Sequence, residues 1–65
     1  MTKRALATQY AKEHRQNHID WRDHWRAYPP TNALEREHRS HVGGVKFQED
    51  CIRRYNLIIQ VLEAS

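Results

Sequence analysis

Apolar and aromatic positions recur along this chain at spacings of three and four, the period of a helix that turns one side toward a partner. The first series is Ala7, Ala11, His14, His18, Trp21, Trp25 and Tyr28. The second is Leu34, His38, His41, Val45, Gln48, Ile52, Tyr55, Ile59 and Leu62. Strand-like alternation persists nowhere for more than a few residues. The pattern predicts an all-α chain with one helix over about 3–28, a turn, and a long helix over about 32–63. Residues 1–65 then form a single domain, an antiparallel helical hairpin.

The turn is carried by Tyr28-Pro29-Pro30-Thr31-Asn32. Each proline lacks an amide donor and pushes its predecessor out of helical geometry, so the first helix must stop near Tyr28. Asn32 can cap the next helix, with Glu35 at its third position reaching back to the cap amide. Gly43-Gly44 interrupts the second segment. Two glycines inside a helix cost roughly 1 kcal/mol each relative to alanine, so the segment is either one bent helix or two helices broken there. The apolar phase crosses the glycines without a slip, which favours the single helix.

The C-terminal run is too apolar for one partner helix. Cys51, Ile52, Tyr55, Ile58, Ile59 and Leu62 share a face, while Leu57 and Val61 lie well outside it. The second segment, being longer, is also expected to overhang the first. A second copy of the chain would cover what the hairpin leaves wet. The sequence therefore predicts a homodimer with a four-helix arrangement, its interface drawn from Ile52, Tyr55, Leu57, Ile58, Ile59, Val61 and Leu62.

Composition narrows the class. Apolar residues make up 38% and charged residues 29% of 65 residues, without the run of about 20 apolar residues that a membrane span needs. No secretion signal is evident at the start, so a soluble cytoplasmic protein is expected. One cysteine, Cys51, excludes an internal disulfide and a multi-cysteine zinc site. The net charge of +3 sits in residues 1–28, where six basic residues face three acidic ones. Lys12, Arg15, Ile19, Arg22 and Arg26 form a basic stripe beside the aromatic one, ending near Tyr28, and this stripe is the candidate surface for a partner.

Five histidines raise the question of metal. In a hairpin turning near residue 30, His18 lies level with residue 42, so His14, His18 and His41 could converge, with Glu37 nearby. Imidazoles packed or hydrogen-bonded within the structure are the commoner outcome, and no metal or other cofactor is assigned. Catalysis is not expected: Cys51 sits on the apolar face, and no acidic pair or nucleophilic set follows from spacing. The tryptophans are expected to anchor the hairpin near its turn; exposed, they would join Arg22, Arg26 and Pro29-Pro30 in a recognition surface.

No family motif identifies the chain. The expected function is that of a small non-enzymatic regulator or inhibitor, of the kind found among phage and mobile-element accessory proteins, acting as a homodimer on an intracellular protein. A nucleic-acid reader is the alternative. Residues 32–42, Gly43-Gly44 and residues 45–63 would make a helix-turn-helix with Lys46 and Gln48 near the recognition-helix start. Glu49 and Asp50 oppose it, and Arg53 and Arg54 come later. Histidine-based metal binding is the third possibility.

Overall fold

A computed structural model describes residues 1–64, Val42 by its backbone alone. The chain is helical in three pieces: α1 over Lys3–Ala27, α2 over Ala33–Val42 and α3 over Val45–Ala64. The ends follow local chemistry. Thr2 caps α1, its hydroxyl accepting from the Ala5 amide at 3.0 Å. At the other end the Tyr28 amide donates to His24 O at 3.0 Å, and the two prolines stop the helix. Asn32 caps α2 by accepting from the Glu35 amide at 2.8 Å. The reciprocal reach of Glu35 goes one residue further than expected. Its Oε2 accepts from both the amide (3.2 Å) and the hydroxyl (2.7 Å) of Thr31.

The second segment is broken, so the single long helix is not formed. Gly43 has φ 109° and ψ 77°, a left-handed conformation that ends α2 and that side chains with a β-carbon resist. A Cβ at Gly43 would lie 2.8 Å from Phe47 Cδ1, whereas one at Gly44 would meet nothing nearer than 3.5 Å. The apolar phase is continuous across the break although its first members lie at the surface. Leu34 is 79% exposed, and His38 and His41 are exposed as well.

The break sets the register. α3 runs antiparallel along α1, with Arg26 paired to Glu49 at 2.7 Å near one end and Lys12 to Glu63 at 3.0 Å near the other. Because α3 begins only at residue 45, it lies beside α1 along its whole length, and the expected overhang of the C-terminal run does not occur. The chain reverses over all of residues 28–44, α2 included, rather than at the prolines alone. His18 accordingly sits level with Gln48 and Tyr55 instead of residue 42.

The seam between α1 and α3 is thin. Its buried apolar residues are Ala11 and Ile59, at 3% and 5% exposure. Ile52, Tyr55 and Leu62 are half-buried along it. At its middle lies buried Gln48. The Gly43 carbonyl can only accept, so it fixes the Gln48 amide with Nε2 toward it, at 3.1 Å. Gln48 Oε1 then faces His18 Nδ1 at 2.6 Å, and the imidazole must donate. One side chain thus ties α1 to the turn between α2 and α3.

The molecule is a rod, 47 × 15 × 14 Å, with a radius of gyration of 14.6 Å; a compact chain of this length would have about 11 Å. Among the described residues, no helix is long and apolar enough to cross a membrane.

Three expectations follow from the turn and the seam. Gly43→Ala should lower stability by about 1–2 kcal/mol, or about 4–8 °C in melting temperature per kcal/mol for a domain of this size, while Gly44→Ala should be neutral or stabilising. Gln48→Leu should cost about 1–3 kcal/mol by stranding the Gly43 carbonyl and the His18 donor. Thermal melts at matched protein concentration check all three.

Candidate functional site

The junction of the three helices encloses a groove of about 590 Å³. The end of α1 contributes Trp25 and Arg26, the turn contributes Pro29 and Pro30, and α3 contributes Val45 and Phe47. α2 forms the remaining wall with Arg36 and Arg39. Proline rings and aromatic faces make the surface apolar because neither proline offers an amide and Phe47 is 51% exposed.

Arg39 holds α2 in place. Its Nη1 donates to the Tyr28 carbonyl, its Nη2 pairs with Glu35 Oε1 at 2.6 Å, and only 12% of its side chain is exposed. The guanidinium lies 4.4 Å from the centroid of the Trp25 ring, a cation–π geometry. Trp25 is therefore half-buried beneath an arginine, not sunk into the hairpin. Trp21, stacked on Trp25 at 5.5 Å, is 44% exposed, and Tyr28 is 62% exposed. The aromatic stripe anchors the turn through one ring and leaves two at the surface.

The cations of the groove differ in how they are balanced. Arg26 is paired with Glu49 and Arg39 with Glu35. The side chains of Arg36 and Lys46, both exposed, have neither an ion pair nor a hydrogen bond among the described residues. Asp50 lines the same groove and lies 3.6 Å from Arg53. The groove thus presents uncompensated positive charge at an apolar floor.

The basic stripe of α1 has a different fate. Lys12 pairs with Glu63, Arg15 donates to Asn56 Oδ1 at 2.9 Å, Arg22 pairs with Asp23 at 3.2 Å and Arg26 with Glu49. Ile19 is half-buried between them. The stripe forms one polar edge of the hairpin, and three of its four cations are bound to α3. Such exposed pairs are weak, about 0–1 kcal/mol each, but a partner must displace them to reach the stripe.

The other edge is apolar. About 100° per residue brings Tyr10 and Trp21 of α1, with Tyr28 at its C-cap, to the same flank as Phe47 and Ile58 of α3. Leu57 and Val61, on the back of α3, are 58% and 69% exposed, and Ile58 is 46% exposed. Of the seven residues expected at a dimer interface, Ile52, Tyr55, Ile59 and Leu62 lie in the seam within the chain. Leu57, Ile58 and Val61 face outward.

Three of the five histidines are used in packing. His14 and His18 flank Tyr55, with ring centroids 5.8 and 5.6 Å away. His24 packs against Trp21, Trp25 and Tyr28. His41 sits on α2, away from His14 and His18, because the interposed helix shifts the register. Among the described residues, no three His, Cys, Asp or Glu side chains are placed to hold a metal ion. Cys51 is a half-buried free thiol.

Arg36, Arg39 and Phe47 were not legible as site residues from spacing. Only the Glu35–Arg39 interval of four hinted at one of them. Comparison with protein families, with curated proteins and with solved structures finds no match to this chain.

The hydroxyl of Thr31 holds the Glu35 carboxyl below its ordinary pKa, helped by the Thr31 amide and by Arg39. A lowered folded-state pKa means that the contribution is complete above the usual carboxylate range of about 4 and fades as pH falls through and below it. Glu35→Gln should therefore flatten the acid limb of the stability–pH curve there and lower stability at pH 7. Melting temperatures of both proteins from pH 7 to pH 3 check this.

Proposed function

We propose that the chain is a non-enzymatic interaction protein that works as a helical homodimer and inhibits or modulates a second, intracellular protein. The observation that carries this reading is surface area. The chain exposes 5187 Å², whereas a folded monomer of its mass exposes about 4,400 Å². The surplus, about 800 Å², equals what one partner buries in a standard interface.

The place for that interface is the outward side of α3. Leu57, Ile58 and Val61 lie within five residues on one helix, and burying each would stabilise by roughly 1.5–3 kcal/mol. Among the described residues the buried apolar side chains are Ala11 and Ile59, so such a contact would add substantially to a thin core. Twofold pairing through α3 leaves the groove at the helix junction free for a different protein.

A nucleic-acid reading has one observation in its favour: α2, the tight turn at Gly43 and α3 have the layout of a helix-turn-helix. Lys46, Arg53 and Arg54 would then meet phosphates. Asp50 lies among them and holds Arg53, which opposes entry into a polyanionic groove. A shift assay on random duplex DNA across a salt series separates the readings. Steep salt-dependent binding favours the nucleic-acid reader, and none below high micromolar protein favours the protein binder.

The homodimer has its own test in sedimentation velocity at low micromolar concentration. Wild type should sediment at twice 7.8 kDa, and Leu57→Glu with Val61→Glu should give monomers of reduced helicity. A compact, fully helical wild-type monomer would refute the homodimer.

A further inference from the structure

We infer that the groove at the helix junction binds an acidic segment of a partner protein that carries an apolar or aromatic anchor side chain. The inference rests on the reading of this chain as a protein-binding module and names the chemistry of what it binds. Three observations converge on it.

The first is volume. About 590 Å³ falls within the range of pockets that hold a compact ligand or a few peptide side chains, about 300–1,000 Å³. The second is the floor, where Trp25, Pro29, Pro30 and Phe47 offer rigid rings and neither proline has an amide to donate. An inserted leucine or tryptophan would remove water from the exposed half of Phe47 and from the Pro29-Pro30 surface.

The third is charge. Arg36 and Lys46 line the groove from different helices, one on α2 and one on α3, and neither side chain has an ion-pair or hydrogen-bond partner among the described residues. Carboxylates on either side of an anchor would meet both. Arg26 and Arg39 already hold Glu49 and Glu35, so the free charge is about that of two cations, moderated by Asp50. That suits a segment with one or two acidic residues. It is too little to follow a phosphodiester chain, for which affinity grows with the number of phosphates neutralised.

The probe is a fluorescein-labelled peptide with a central tryptophan flanked by glutamates, titrated by anisotropy against the full chain at low salt. Saturable binding is expected. It should weaken by about tenfold or more in Arg36→Glu/Lys46→Glu, and also when the peptide tryptophan is replaced by alanine or its glutamates by lysines. Both substituted positions are exposed and unpaired, so circular dichroism of the double variant should match wild type.

No saturable binding of the acidic peptide, equal binding of its lysine counterpart, or tighter binding of a labelled single-stranded oligonucleotide would overturn the proposal. So would unchanged affinity in the double variant. Sedimentation of that variant supplies the remaining arm. A shift from dimer to monomer would make the groove a contact between copies and overturn the proposal. Saturable, charge-dependent peptide binding by a wild-type monomer would support the groove while removing the homodimer.

Discussion

The left-handed backbone at Gly43 is the constraint on which the rest of the molecule depends. It ends α2, sets α3 going at residue 45, and so decides which residue of α3 stands opposite each residue of α1. A β-carbon there would meet the Phe47 ring, and Gln48 reads the same residue through its carbonyl. Were the second segment one uninterrupted helix returning from the prolines, His18 would face residue 42 and Gln48 would sit elsewhere. The part-buried hydrogen bond between Gln48 and His18 exists because of the break.

From that register comes a hairpin with two unlike edges. Along one, arginine and lysine side chains of α1 cross to Asn56, Glu49 and Glu63 of α3. Along the other, aromatic rings and aliphatic side chains are left with water. Between them the seam is one alanine, one isoleucine and a glutamine thick at its most buried points. Such a fold is held by alignment and by polar anchoring more than by volume of core, because rod-shaped pairs of helices have little interior to fill.

Much of this was readable beforehand. The α period, the stop at Pro29-Pro30 and the Asn32 cap follow from single-residue chemistry, and all three are present. The inward positions of α3, among them Gln48, Ile52, Tyr55, Ile59 and Leu62, follow from their spacing. The break was harder. Phase counts only where side chains point and is silent on backbone φ, and Leu34, His38 and His41 kept phase while lying exposed. The misplaced turn carried the histidine convergence and the C-terminal overhang away with it. The basic stripe was correctly located on α1, but spacing within one helix cannot reveal Asn56, Glu49 and Glu63 waiting on another. Arg39 escaped notice for the same reason, its partners Trp25 and the Tyr28 carbonyl being distant in sequence.

The rod shape bears on valency. Leu57 and Val61 lie toward one end of α3 and Phe47 toward the other, separated by about 15–20 Å of helix. Two copies joined antiparallel at the former would carry their clefts at opposite tips, tens of ångströms apart. A flexible target bearing two suitable motifs could engage both, and its avidity would depend on whether the tether between them can span that gap.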